Sequence, residues 1–398
     1  MSHRNKTIKF FVYFLVVLVL SAAGVSYYLW NTPLGQALEY PTFFPVATSV
    51  STNVPGNGSA SSTSAPGNES ASSSSPDLLA TPVPVLPTSS FTPTPIFTPA
   101  PTPASTGKPL CGGPSVLTIL VIGSDASNPT YLYGLADAIR VVRIDFTIPR
   151  VTILDFPRDL WVQVPGISAH YGIDHSKLNE AYFYGNPGMG YYNGPAAGPG
   201  LLAQTLALNF GLYVDQYLAI DTNSFARVVD AVGGIDVYLS EPVNANTANE
   251  VTGKPDTSDP NYMFPAGNQH LNGERALILA EGRIPTVFQR TKDQNIVLRG
   301  LRDKLLSPSV FPQLPKLITA FKSSTQTDLT PHDFNRLLCL AEKVTGDDVV
   351  FVSFPDALFK PSSLYDPWRK ADTFIWDVDF GQLQSLVTEF MNGTWPAP

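Results

Sequence analysis

Apolar residues follow three different patterns along the chain. Residues 10–30, FFVYFLVVLVLSAAGVSYYLW, form an unbroken run without a charge. Residues 31–110 show no apolar periodicity, and after residue 110 short β-rich runs alternate with segments of helical spacing. The changes in pattern predict a membrane helix, a linker and one folded region.

The apolar run at 10–30 is long enough to cross a bilayer. At about 1.5 Å per residue it spans roughly 30 Å, the thickness of a hydrocarbon core. Arg4, Lys6 and Lys9 precede it, and no Lys or Arg follows until Lys108. This asymmetry predicts a cytoplasmic tail over 1–9, a transmembrane helix over 10–30 and an extracytoplasmic location for the rest. A cleaved signal peptide is the alternative, because SAAG offers small residues to a peptidase.

Residues 31–110 have the composition of a linker. They contain 15 Pro residues, many Ser and Thr residues, and only four charged residues. Such a segment cannot bury enough apolar surface to offset the entropy that it would lose on ordering. We therefore expect residues 31–110 to be a disordered tether that holds a domain away from the membrane.

The pattern after residue 110 predicts an α/β domain over residues 111–398. Runs rich in β-branched residues predict strands at 117–123, 139–146, 151–156, 217–221, 235–239 and 349–354. Helical spacing, often closed by Gly, predicts helices near 200–211, 222–234, 272–282, 294–306 and 380–391. This alternation is typical of a three-layer α–β–α sandwich with a central mixed sheet. Residues 184–200, rich in Gly, Tyr and Pro, predict a long loop.

The two cysteines, Cys111 and Cys339, both lie in the predicted extracytoplasmic part. An oxidising compartment and an even number of cysteines favour a disulfide between the start of the domain and its later part. Two buried free thiols are the alternative.

The charge of the chain limits its partners. A formal net charge of −8 argues against general nucleic-acid affinity, because binding to a phosphate backbone needs a basic surface. Any phosphate site must therefore be a local cluster of arginines. The sequence also lacks a GxSxG elbow, a P-loop, an HExxH motif and a pair of cysteines at zinc spacing.

Charged residues stand at the ends of three predicted strands. Asp125 follows LTILVIGS, Asp137 precedes IRVVRIDF, and Arg158 with Asp159 follows VTILDFP. In α/β sheets, ligands collect beyond strand ends. Two carboxylates brought together there suit Mg²⁺, which binds one or two carboxylates together with phosphate oxygens. Alternatively, the acids are turn or cap residues, and Arg158 and Asp159 form an ordinary ion pair.

A second candidate group lies on a predicted helix after residue 286. Arg290 and Gln294 are four residues apart, on a stripe that continues with Val297, Leu301 and Leu305. An arginine on a buried stripe needs a partner, and an anionic ligand is one candidate. Asp293 lies one position off this stripe, so we expect it to face solvent.

These segments resemble, in order, the LytR–CpsA–Psr proteins of bacterial envelopes. The resemblance covers about 115–305 and rests on ILVIGSD, GLADAIRVVRID, VTILDFPRDLWVQVPG, KLNEAYFYG, AIDTNSFARVVDAVGGIDVYL, QHLNGERALILAEGR and QRTKDQNIVLRGL. Proteins of this family have a short cytoplasmic tail, one membrane helix and an outer α–β–α domain.

The resemblance implies an activity. Such proteins transfer a glycopolymer from a polyprenyl-pyrophosphate carrier to peptidoglycan, with Mg²⁺ on the pyrophosphate and the lipid tail in an apolar pocket. Carried over to this sequence, Asp125 and Asp137 hold the metal. The pyrophosphate is bound by Arg158, Arg283, Arg290 and Gln294. Asp159 orients Arg158, and a role as a base is the alternative.

Three positions depart from the family pattern. Leu135 and Glu281 stand where the family usually has arginines, and Asp293 replaces the second arginine of an Arg-x-x-Arg-Gln motif. These departures keep two other functions open. One is a non-catalytic envelope module that binds carrier lipid or wall polymer, and the other is a polyprenyl-pyrophosphate hydrolase.

Overall fold

The computed structural model describes residues 32–41, 107–126, 134–168, 172, 174–188, 190–246, 259–282, 287–307, 310, 313, 316, 325–367 and 369–396. The predicted cytoplasmic tail, the membrane helix at 10–30 and most of the predicted linker lie outside these ranges. Within them, no helix is both long enough and apolar enough to cross a membrane. The contacts divide the chain into two compact units, and every element below lies in the unit made of Met1–Tyr40 and Phe97–Pro398.

Strands occur where short apolar runs stand between turns. They are β1 (Val116–Ser124), β2 (Ala136–Asp145), β3 (Arg150–Phe156), β4 (Trp161–Gln163), β5 (His175–Lys177), β6 (Gln216–Asp221), β7 (Ile235–Leu239), β8 (Val243–Asn244), β9 (Met263–Phe264), β10 (Gly267–Leu271), β11 (Thr325–Thr327), β12 (Val349–Ser353), β13 (Phe359–Asp366) and β14 (Ala371–Val378).

The central sheet of the described domain has the strand order β11-β6-β1-β2-β3-β12. β1 pairs with β6, and β3 with β12, in parallel orientation. The pairs β1–β2, β2–β3 and β6–β11 are antiparallel. The sheet is therefore mixed, as the sequence predicts.

Helices separate the strands and carry recognisable ends. They are α1 (Leu178–Gly185), α2 (Ala197–Phe210), α3 (Thr222–Ala231), α4 (Gly273–Glu281), α5 (Val287–Leu306), α6 (Pro331–Ala341) and α7 (Phe380–Asn392). The side chains of Asp221, Asn272 and Thr330 accept hydrogen bonds from backbone amides at the starts of α3, α4 and α6. Gly211 and Gly393 end α2 and α7 in the left-handed conformation that glycine adopts most easily.

Both faces of the central sheet are covered, because alternate side chains of a strand point to opposite faces. Leu120 and Ile122 of β1 belong to a core that includes residues of α1, α2 and α7. Ile119, from the same strand, packs in another core with Leu340 of α6. The predicted α/β class, with helices on a central mixed sheet, is confirmed.

A disulfide links Cys111 to Cys339, whose Cα atoms are 5.8 Å apart. It joins the start of the domain to α6, and the prediction of a disulfide is confirmed.

Several predicted elements have different partners or lengths. The predicted strand at 235–239 forms, but as β7 it pairs with β10 outside the central sheet. It packs with α3, α4 and α5 in a separate apolar core. The predicted loop at 184–200 is shorter, because α1 extends to Gly185 and α2 begins at Ala197. The hairpin of β13 and β14 was not predicted.

The predicted linker begins at residue 31, but residues 32–40, which we call the docked segment, contact the domain. The Tyr40 hydroxyl donates to the Val214 carbonyl and accepts from the Val214 amide, at 2.9 Å each. The Gln36 carbonyl accepts from the Tyr217 hydroxyl at 3.1 Å. These hydrogen bonds hold the segment on the domain. Composition alone does not reveal this attachment.

Candidate functional site

The candidate site lies at one edge of the central sheet. Asp125 directly follows β1, Asp137 is the second residue of β2, and Arg158 comes two residues after β3. Because β2 runs antiparallel to β1 and β3, these three positions meet at the same edge. The strand pairing therefore assembles residues that are separate in sequence.

Asp137 is bound by two arginines from distant parts of the chain. Arg158 Nη1 pairs with its Oδ1, and Arg290 Nη2, from α5, pairs with its Oδ2 at 2.6 Å. The Arg290 side chain is 7% exposed and that of Asp137 is 14% exposed, so water screens this interaction only weakly. We call Asp137, Arg158 and Arg290 the arginine–aspartate cluster.

The charges of the cluster support one another. Burial by itself raises the pKa of Asp137, but the positive charges of Arg290 and Arg158 outweigh it, so the pKa lies below its usual value. Burial likewise lowers the pKa of Arg158, and the carboxylates of Asp137 and Asp159 more than reverse this effect. Asp137 and Arg158 therefore stay ionised at neutral pH.

Asp159 links Arg158 to a further cation. Its Oδ2 is 3.3 Å from Arg158 Nε, and its Oδ1 accepts from Lys177 Nζ at 2.9 Å. Lys177 reaches this position because β5 pairs with β4, which follows Asp159. Sequence reasoning missed Lys177, although it opens the KLNEAYFYG segment. Asp159 stands where it can orient Arg158.

Gln294 lies one turn after Arg290 and is held from two sides. Its Oε1 accepts from Arg140 Nη2, and its Nε2 donates to the Ala280 carbonyl, at 3.3 Å each. Arg140, on β2, also pairs with Asp155 Oδ1 at 3.3 Å. Neither Arg140 nor Asp155 was predicted from the sequence, because both lie within apolar strand patterns and belong to no recognised motif.

Three neighbouring cavities lie along this edge and under α5, and each shares lining residues with the next. A small cavity of about 30 Å³ adjoins Asp137, Arg158 and Arg290. It shares Asp137, Arg290 and Gln294 with a middle cavity of about 130 Å³. The middle cavity shares Val121, Arg140 and Leu298 with an apolar cavity of about 350 Å³. The apolar cavity is lined mainly by aliphatic side chains, among them Val142, Ile144, Ile153, Leu301, Leu337 and Leu340.

The predicted metal ligands lie at the same end of the β1–β2 hairpin. Asp125 Oδ1 accepts from the Leu135 amide at 2.6 Å, which holds its carboxylate next to the start of β2. Each carboxylate oxygen has two lone pairs, so both Asp125 and Asp137 keep acceptor capacity beside these contacts. In the described part of the chain, no group of three or more His, Cys, Asp or Glu residues is placed to hold a metal. Two carboxylates still suit Mg²⁺, which takes its remaining ligands from phosphate and water.

The departures from the family pattern have different outcomes. Glu281 is exposed, and it lines the middle cavity together with Arg290. Arg283 lies outside the described residues. The expectation that Asp293 faces solvent is wrong: it is 1% exposed and accepts from Gln289 Nε2 at 3.0 Å. Burial raises its pKa to about 6.

Fold and site together define an α/β protein that carries a cluster of arginines and aspartates beyond its strand ends. The chain belongs to the LytR_cpsA_psr family, whose model matches residues 112–383. This match confirms the family that the sequence motifs indicated.

Two relatives illustrate the family. The chain is 25% identical over 217 residues to the Staphylococcus aureus protein named "Regulatory protein MsrR". It is 28% identical over 215 residues to Bacillus subtilis TagV, named as a polyisoprenyl-teichoic acid–peptidoglycan teichoic acid transferase. The alignments cover 54% and 53% of this chain, and 56% and 49% of the relatives. The matched part therefore spans about half the length of these relatives.

The fold is also similar to that of a solved structure. The crystal structure of B. subtilis TagV covers 70% of this chain and 96% of its own, with a TM-score of 0.53 and 23% identity. This likeness supports the fold.

Proposed function

We propose that this protein is a membrane-anchored phosphotransferase that moves a glycopolymer from a polyprenyl-pyrophosphate carrier onto peptidoglycan. The observation that carries the proposal is the arginine–aspartate cluster beside neighbouring cavities, of which the largest described one is lined mainly by aliphatic side chains. An anionic head and a long apolar tail are the two parts of such a carrier. The name of the relative TagV, a teichoic acid transferase acting on peptidoglycan, favours the same reaction class.

The cluster would bind the pyrophosphate through its guanidinium groups. Arg158 and Arg290 are fixed by Asp137, so their donors are held in place before a ligand arrives. Guanidinium groups match phosphate oxygens in geometry and keep their charge. Phosphoryl transfer depends chiefly on such positioning and on charge neutralisation.

The lipid tail would occupy the apolar cavity. This cavity of about 350 Å³ shares Val121, Arg140 and Leu298 with the middle cavity, which borders the cluster, so head and tail would lie in adjacent cavities. Burial of a prenyl chain against aliphatic side chains releases water from apolar surface and supplies affinity without charge.

Asp125 and Asp137 would hold Mg²⁺ at the end of the β1–β2 hairpin. The ion would neutralise pyrophosphate charge and orient its oxygens. Arg283 is assigned to the pyrophosphate on the family resemblance alone. Asp159, between Arg158 and Lys177, keeps Arg158 directed at the ligand. We place residues 10–30 across the membrane and the domain outside the cell.

The proposal is tested by incubating the full chain in lipid nanodiscs with Mg²⁺, a polyprenyl-pyrophosphate glycan and peptidoglycan fragments. We expect glycan transfer to the fragments, and a fall of about 10- to 100-fold in Arg290→Lys, because lysine lacks the paired donors. Arg299→Lys is the matched control on α5, since Arg299 lies over the Phe351 ring. Absence of transfer by the unaltered chain would overturn the proposal.

The position of Glu281 favours a second candidate, a module that binds carrier lipid without transferring it. A carboxylate on the middle cavity opposes an anionic ligand, which suits weak binding better than catalysis. The same incubation separates the candidates: carrier bound but unchanged indicates the module, and release of polyprenyl phosphate without acceptor indicates a hydrolase.

A further inference from the structure

Arg140 is a buried cation at the boundary between two of the cavities. It is 3% exposed and lies on β2, three residues after Asp137. Its side chain lines both the middle cavity and the apolar cavity. Placing a buried guanidinium beside a cavity lined mainly by aliphatic side chains is costly unless it has partners.

The partners of Arg140 account for only part of its hydrogen-bonding capacity. Nη1 donates to Asn295 Oδ1 at 2.7 Å and Nη2 donates to Gln294 Oε1 at 3.3 Å. Its Nε is buried and has no acceptor among the described residues, and the same holds for Nε of Arg290. Two arginines of one cavity therefore each keep a buried donor without a protein acceptor.

The charge of Arg140 is only partly compensated. Its carboxylate partner, Asp155, is 6% exposed and also accepts from Thr291 at 3.2 Å. Burial raises the pKa of Asp155, which favours its neutral form. Glu281 lines the same middle cavity and adds a negative charge there, which a cation on the cavity wall offsets.

We propose that Arg140 is a further anion-binding residue of this site, contacting the phosphate that is attached to the lipid. The inference rests on the proposed function. A ligand with its head at Arg158 and Arg290 and its tail in the apolar cavity would lie along the middle cavity, whose wall includes Arg140. A diphosphate would place one phosphate at the cluster and the other at Arg140, whereas the single phosphate of a monophosphate would bind at the cluster, where two guanidinium groups meet, and leave Arg140 without an anion.

The test compares geranyl diphosphate and geranyl monophosphate as probes, with the full chain in nanodiscs and binding measured by calorimetry. The variant is the double substitution Arg140→Met with Asp155→Asn, which removes both charges and leaves neither buried alone. We expect the unaltered chain to prefer the diphosphate, and the double variant to bind it about 10- to 100-fold more weakly with little change for the monophosphate.

The control is Arg143→Met with Asp145→Asn. Arg143 is also buried on β2 and paired with an aspartate, at 3.6 Å, but it points to the opposite face and contacts the Met391 carbonyl. Both double variants are checked for cooperative thermal unfolding. If the double variant of Arg140 and Asp155 does not fold, Arg140→Lys is the second variant. It keeps the charge but has fewer donors, so we expect an intermediate loss of affinity for geranyl diphosphate.

The outcomes separate the two proposals. An unchanged preference for diphosphate in the Arg140 variants overturns the inference and leaves the proposed function standing. A loss of the same size in the Arg143 control overturns it too, since the effect is then structural. If the unaltered chain binds neither probe, the proposed function fails, and the inference fails with it.

Discussion

At the scale of single residues, the site is organised by carboxylates rather than by arginines. Asp137 holds Arg158 and Arg290 together, and Asp159 joins Arg158 to Lys177. Each arginine alone would be a mobile side chain repelled by the next. The shared carboxylates convert like charges into a fixed arrangement of donors.

Replacing Asp137 by Asn should therefore reduce stability as well as activity. It leaves two partly buried guanidinium groups without a counter-charge, and we expect a loss of about 2–4 kcal/mol at pH 7. Because the pKa of Asp137 is lowered on folding, its contribution is present above the usual Asp pKa and lost as the pH falls through the lowered value. Urea titrations from pH 3 to pH 7, followed by tryptophan fluorescence, measure both effects.

The matched control for Asp137 is Asp236→Asn. Asp236 pairs with His270 at 2.7 Å, but its side chain is 74% exposed, so its removal should change stability by less than about 0.5 kcal/mol. Equal losses of stability in the two variants would contradict the prediction that Asp137 stabilises the domain by pairing with Arg158 and Arg290.

Asp293 should show the opposite pH dependence. Its pKa is raised to about 6 by burial, so the folded state favours the neutral form and loses stability as the pH rises through 6. Asp293→Asn should be more stable than the unaltered chain by about 2 kcal/mol at pH 8, and equal to it near pH 4. Thermal unfolding at the two pH values measures this, and a variant that is less stable at pH 8 would contradict it.

At the scale of elements, the site depends on the ends of β1, β2 and β3 and on one turn of α5. Local apolar patterns sufficed to predict these strands, because each is a short β-branched run bounded by turn residues. The same patterns did not reveal that β7 pairs with β10, nor that the β13–β14 hairpin forms. Strand partners are chosen by long-range packing, which periodicity does not encode.

The residues of the candidate site also differ in whether the sequence predicted them. Asp137, Arg158 and Arg290 were predicted to meet, since family motifs and strand ends marked them. Arg140 was not predicted, because a charge within an apolar run gives no periodic signal. Lys177 was not predicted either, although it opens the KLNEAYFYG segment.

The disulfide is the element-scale feature with the clearest energetic consequence. It joins residues 228 apart in sequence and so restricts the unfolded chain strongly. Replacing Cys111 and Cys339 by Ser together should lower the free energy of unfolding by about 2–5 kcal/mol, measured by urea titration. The unaltered chain under full reduction should match the double variant, and no difference between oxidised and reduced forms would contradict the prediction.

At the scale of the whole molecule, the docked segment ties the N-terminal side of the chain to the domain. Leu38 and Tyr40 pack against the main apolar core, and the Tyr40 ring lies 5.0 Å from that of Tyr213. Glu39 adds a backbone acceptor for Gln204 at 2.9 Å. The segment thus behaves as part of the domain.

Removing one hydroxyl tests this attachment. Tyr40→Phe keeps the ring but leaves both backbone groups of Val214 without their partner, which should cost about 1–3 kcal/mol. Hydrogen exchange at the Val214 amide should accelerate accordingly. Tyr238→Phe, at a tyrosine that is 66% exposed, is the control and should change nothing.

The docked segment changes what the Pro-, Ser- and Thr-rich stretch can do. The chain contacts the domain at residues 32–40, and again where the Leu110 amide donates to the Phe146 carbonyl at 2.8 Å. Both contacts are made with the same domain. The residues of this stretch that contact the domain therefore add nothing to the distance that a tether could span.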